Sequence, residues 1–103
     1  MKQYIVQEIF KNNGEVEVSI INNTIYTSMD EAKKVLEDKW KNTEKDVKEE
    51  FDLTEDDYTS YIEPLNMYAN VVVNDFDNSH EFHLLELNVK YLSISTQNSA
   101  HKD

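Results

Sequence analysis

The chain has 103 residues, 39% hydrophobic and 11% aromatic, which suits one domain around one modest core. It contains 21 acidic residues against 10 basic ones, all ten of them lysine, for a formal net charge of −11. No cysteine is present, which excludes disulfides, thiolate metal sites and cysteine nucleophiles, and one glycine is too few for a dinucleotide fingerprint or a phosphate-binding loop.

A field of this sign repels nucleic acid and anionic membranes, so neither is expected as a direct partner. Lack of arginine also removes the bidentate clamp that phosphates and carboxylates favour. The first residues run straight into an alternating pattern, so no signal peptide is expected. No apolar run approaches the roughly 20 residues of a membrane span. Together with the lack of cysteine, this places the protein in the cytoplasm as an expectation.

Residues 2–10 read as a strand, with Tyr4, Val6 and Phe10 alternating against Ile5 and Ile9. Lys11-Asn12-Asn13-Gly14 reads as a turn, because Asn-Gly tolerates positive φ at low cost. Glu15–Ile21 alternates again, with Val16, Val18 and Ile20 on one side, and completes a hairpin. Asn22-Asn23 suits a bulge or turn, and Ile25 and Tyr26 are expected to extend the pairing.

The strongest element is an amphipathic helix over Met29–Phe51. Ser28-Met29-Asp30-Glu31 has the form of a capping box at its start. Ala32, Val35, Leu36, Trp40, Thr43, Val47 and Phe51 then recur at spacings of three and four. Thr54-Glu55-Asp56-Asp57 resembles a second helix start, with Tyr58, Tyr61 and Ile62 as its apolar side. Met67–Asn74 reads as a third strand, Asp75–Ser79 as a turn, and Glu81–Tyr91 as a fourth strand. Leu84 breaks that last alternation and calls for a bulge or a second buried face. The expected fold is α+β. It is a four-stranded antiparallel sheet from two β-hairpins (β-β-α-(α)-β-β), with the long helix across one face, in one domain over 1–95 and a frayed polar tail at 96–103.

Three groups of residues carry candidate chemistry. In Glu49–Asp57, six of nine residues are acidic and none is basic, and from Glu44 to Asp57 eight acids face two lysines. One reading is a solvated helix end that keeps the chain soluble. The other is that carboxylates spaced along a helix imitate a phosphate backbone and fill a basic groove. Its partner-binding residues are then Glu44, Asp46, Glu49, Glu50, Phe51, Asp52, Glu55, Asp56, Asp57 and Tyr58, with Leu53 and Tyr61 as further apolar anchors.

The second group is Asp75–Glu86, where Asp75, Asp77, Ser79 and Glu86 imitate the first, third, fifth and twelfth places of a calcium loop. His80 stands where glycine is required, and strands rather than helices flank the segment. A zinc site from Asp77, His80 and His83 is one residue short of zincin spacing and lies in a strand, where alternate residues diverge. The third group is a Ser-His-acid arrangement, yet none of the seven serines sits in a nucleophile elbow. No metal, no cofactor and no enzymatic activity are therefore expected.

In size, charge and the run Glu49–Asp57, the chain resembles the small acidic proteins of phages and prophages, among them anti-defence inhibitors of the anti-CRISPR, nucleic-acid-mimic type. That resemblance implies a non-enzymatic inhibitor that blocks a basic protein partner, such as a CRISPR or other defence nuclease whose DNA-reading arginines carboxylates can cover. It rests on overall character rather than a shared motif, so the site residues rest on the charge pattern alone. Two other readings stand beside it: an assembly module that forms a homodimer through a sheet edge, and a divalent-metal-binding domain built on 75–86.

Overall fold

A computed structural model describes residues 2–74 and 77–88. Five strands and one long helix follow in the order β1 (Lys2–Asn12), β2 (Glu15–Ile20), α1 (Met29–Phe51), β3 (Tyr58–Ile62), β4 (Tyr68–Val73) and β5 (Asn78–Asn88). The sheet is antiparallel throughout, in the order β2-β1-β5-β4-β3. The chain is α+β, as its alternating and helical stretches imply, but the sheet has five strands rather than four from two hairpins.

The correction falls at Tyr58–Ile62. Thr54 does cap a turn: Asp57 Oδ2 accepts from the Thr54 amide at 2.8 Å and from its hydroxyl at 3.1 Å. That turn is a 3₁₀ helix of three residues, Glu55–Asp57, and stops there. Too few residues remain before Pro64 to nucleate an α-helix. The following Tyr-Thr-Ser-Tyr-Ile, rich in aromatic and β-branched residues, pairs with β4 instead. A meander β3-β4-β5 therefore joins the β1-β2 hairpin along the central β1-β5 pair.

Leu84 needs no bulge. The β1-β5 register is continuous from Lys2↔Asn88 to Asn12↔Asn78, and β5 has two useful faces. Phe82 and Leu84 point to α1, while His83, Leu85 and Leu87 point the other way. Val89 and Tyr91, expected in this strand, and the tail 96–103 lie outside the described residues.

The helix begins and ends at the residues its pattern predicts. Ser28 Oγ accepts from the Glu31 amide at 3.2 Å. Among the described residues the return bond from Glu31 is not made, so half of the capping box forms. At the other end Asp52 takes a left-handed conformation (φ 54°, ψ 50°), and the amides of Asp52 and Leu53 both donate to the Lys48 carbonyl. Glycine usually fills such a position. With the one glycine used at φ 84° beside Asn13 in the β1-β2 turn, four asparagines and Asp52 take the other positive-φ sites among the described residues. Asn22 and Asn23 are two of these, in a 3₁₀ turn that leads to a single bridge between Tyr26 and Tyr4, with Ile25 left exposed.

The core lies between α1 and one face of the sheet. Ala32 and Leu36 of the helix pack on Tyr4, Val6, Ala69, Phe82 and Leu84. Val47 packs on Val71 and Val73, with Phe51, Leu53 and Tyr58 around it. Trp40 touches both clusters and donates its indole N–H to the Asn70 carbonyl at 3.1 Å. The helix thus crosses the sheet diagonally from the start of β1 to the start of β3.

Candidate functional site

The acidic run is built from three local structures in succession. Glu44, Asp46, Glu49 and Glu50 occupy the last two turns of α1, Asp52 its left-handed cap, and Glu55, Asp56 and Asp57 the 3₁₀ turn that leads into β3. Lys48 holds its ammonium 5.8 Å from the centre of the Tyr58 ring, on the β3 side of the helix. Successive helical residues step by about 100°. Asp46 and Glu50 therefore emerge on the opposite flank, toward β5 and β1, and Glu49 points away from the sheet.

Six of these carboxylates (Asp46, Glu49, Glu50, Asp52, Glu55 and Asp56) are exposed, and none of the six makes an ion pair among the described residues. The first half of the same helix behaves differently. Lys34 pairs with Asp38 at 3.7 Å and Lys41 with Glu37 at 3.3 Å, each one turn apart. At the C-terminal end, Asp46 stands three and four residues before Glu49 and Glu50, and Glu49 three before Asp52, so like charges are neighbours. Glu49 and Glu50 also sit at the negative end of the helix dipole. Lys48 in the last turn, and the spacings Glu44–Lys48 and Lys45–Glu49, offset part of this, but acids outnumber lysines at this end of the helix.

The remaining predicted site residues have other roles. Asp57 is committed to the Thr54 cap. Phe51 and Tyr58 are half-buried against Val47, Val71 and Val73, as is Leu53. Glu44 is half-exposed and lines a shallow hollow with Lys41, Lys45, Lys48 and Glu49. Tyr61 is on the opposite face of the sheet.

Among the described residues, the 75–86 segment does not gather its ligands. His80 and His83 lie three apart in β5, so one faces α1 and the other the open side of the sheet. No group of three His, Asp or Glu able to hold a metal occurs among the described residues. Asp75 lies outside them.

Instead, His80 belongs to a pair that spacing along the chain does not suggest. Its Nδ1 lies 2.8 Å from Glu8 Oε2, both side chains about 85% buried, and its ring stacks on Phe10 with centroids 4.5 Å apart. Glu8 and His80 are 72 residues apart in sequence and meet only through the β1-β5 register. Next to them Phe10, Asn12, Glu15, Val16 and Glu17 line an open hollow of about 490 Å³, in the corner that the diagonal helix leaves uncovered.

No known family, curated protein or solved structure matches this chain. No helix among the described residues is long and apolar enough to cross a membrane.

Proposed function

We propose that the protein is a non-enzymatic binding protein that uses the acidic end of α1, its cap and the adjoining 3₁₀ turn to occupy a basic surface on a nucleic-acid-handling protein. The observation that carries this reading is the set of six exposed carboxylates without ion-pair partners among the described residues, with Asp46, Glu49 and Glu50 in the last turns of α1, where like charges add least to the fold, and Asp52, Glu55 and Asp56 following directly after. A chain selected only for solubility gains nothing by concentrating like charges there. A surface that displays charges at helical spacing to lysines and arginines does. An inhibitor of a defence nuclease, encoded by a phage, is the particular case we favour, because such nucleases hold DNA in positively charged channels.

The test compares wild type with the variant Glu49→Gln/Glu50→Gln/Asp52→Asn/Glu55→Gln/Asp56→Asn in affinity capture from bacterial lysate. The partner should be retained by wild type, lost by the variant and displaced by duplex DNA. Its affinity should fall steeply as salt rises. An affinity indifferent to salt contradicts charge mimicry.

A further inference from the structure

The face of the sheet turned away from α1 is the least charged surface of a strongly charged chain. Residues directly opposite in antiparallel strands share a face. One row across all five strands therefore reads Val18, Ile9, Glu81, Asn70 and Tyr61. Ile5 and Leu85 form a neighbouring pair, and Val16 extends the apolar area at the β2 edge. Val16 is 61% exposed, Val18 56%, Tyr61 49% and Leu85 38%. One step past β3, Glu63 stands opposite Tyr68 at the end of this face, its amide donating to the Tyr68 carbonyl at 3.0 Å and its carboxylate accepting from the Met67 amide at 3.1 Å. The strands themselves place on it, among the described residues, the acidic and lysine side chains Glu81 and Lys11. They neutralise one another at 3.9 Å, with Glu81 also 3.2 Å from His83. On a chain of net charge −11, this face is close to neutral.

We infer that this face binds a second copy of the chain, sheet against sheet, and that the acidic helix ends of both copies remain on the outside. The charge distribution selects that occupant. Two copies repel wherever their acidic surfaces meet, and this face is where that repulsion is smallest. A basic partner is drawn to the helix side, because the carboxylates on this face, Glu81 and Glu63, already have partners.

The area is of the right order. Strands of 11, 6, 5, 6 and 11 residues, spaced about 4.8 Å apart with about 3.3 Å per residue, give about 600 Å² before side-chain relief is counted. Each side of a stable interface contributes about 800 Å². Apolar side chains with Tyr61 and Tyr68 among them, and few charges, are the composition of such an interface core. Packed sheets of this kind align within about 30°.

Light scattering on the full chain decides the matter. Between about 1 μM and about 100 μM, wild type should pass from 12.1 kDa to twice that mass. Added salt should strengthen the dimer, because it screens the repulsion between copies, whereas it weakens binding to a basic partner. Val18→Lys/Leu85→Lys should weaken self-association about 100-fold while leaving circular dichroism and the melting midpoint close to wild type. The five-site carboxylate variant should dimerise at least as well as wild type, which separates this face from the charged one. Outward amides of β2 and β3 should exchange as quickly in the dimer as in the monomer. A chain that stays monomeric throughout overturns the inference. So does a Val18→Lys/Leu85→Lys protein that still dimerises, or slowed exchange at the β2 or β3 edge, which indicates edge pairing.

Discussion

Neutralising the acidic end of α1 should make the protein more stable, not less. The variant Glu49→Gln/Glu50→Gln/Asp52→Asn/Glu55→Gln/Asp56→Asn removes five negative charges, taking the net from −11 to −6. It relieves three like-charge neighbours one turn apart (Asp46–Glu49, Asp46–Glu50 and Glu49–Asp52), at about 0.3 kcal/mol each. It also takes two carboxylates from the negative end of the helix dipole, at about 0.3 kcal/mol each for exposed groups. Asparagine tolerates the left-handed cap at 52 at least as well as aspartate. The variant also gives up the favourable spacings Lys45–Glu49 and Lys48–Asp52, at about 0.3 kcal/mol each, so the gain is about 0.9 kcal/mol at low ionic strength, which corresponds to about 4–7 °C in midpoint for a domain of this size. Asp57 is kept, because its carboxylate caps the 3₁₀ turn. Urea unfolding followed by Trp40 fluorescence, at about 10 mM and about 1 M salt, measures the difference, which should shrink at high salt. A variant less stable than wild type at low salt refutes the reasoning. Those carboxylates would then be holding the fold together rather than standing free for a partner. Stability gained while partner binding is lost is the signature of a surface kept for function at the expense of the fold.

Other outcomes follow from single contacts. Leu36→Ala opens a cavity in the fully buried cluster under Phe82 and Val6 and should cost about 3 kcal/mol in urea unfolding, against less than about 1 kcal/mol for the same assay on Val16→Ala at the exposed β2 edge. Trp40→Phe removes the indole bond to the Asn70 carbonyl and should cost about 1–2 kcal/mol, read by thermal unfolding. Asp57→Ala removes the Thr54 cap and should cost about 1 kcal/mol, with faster amide exchange at Thr54. Glu8→Gln should cost less than Glu8→Leu. Glutamine still offers an oxygen to His80 Nδ1, whereas leucine leaves that buried nitrogen unpaired, and chemical denaturation of the two variants separates them.

The helix was legible because its information is local. Ser28, the three-and-four spacing from Ala32 to Phe51, and the change in pattern after it all act over a few residues, and the structure reproduces both ends. The β1-β2 turn was legible for the same reason, since Asn13-Gly14 carries its own backbone preference. The segment after Thr54 misled because its local signal is genuine but weak. One capped turn does form, and long-range pairing with β4 then governs Tyr58–Ile62. The β5 pattern was ambiguous because both faces of that strand are apolar. Phe82 and Leu84 serve the core, while Leu85 serves the open side.

The same division governs the candidate sites. The acidic run could be read from the chain because charge density is a property of neighbouring residues. Which of its members stand free could not. It takes the cap at Asp57, the packing of Phe51 and Tyr58, and the helical phase set by Lys48 over Tyr58 to separate six outward carboxylates from the rest. Glu8–His80 and the open face depend on strand register and were beyond reach. Val16, Val18 and Ile20 alternate as a buried strand would, yet only the sheet order shows that α1 covers the other side. That placement gives the two faces opposite responses to salt. Contacts through the helix side should weaken as salt is added, and contacts through the sheet side should strengthen, so one titration assigns any partner to its face.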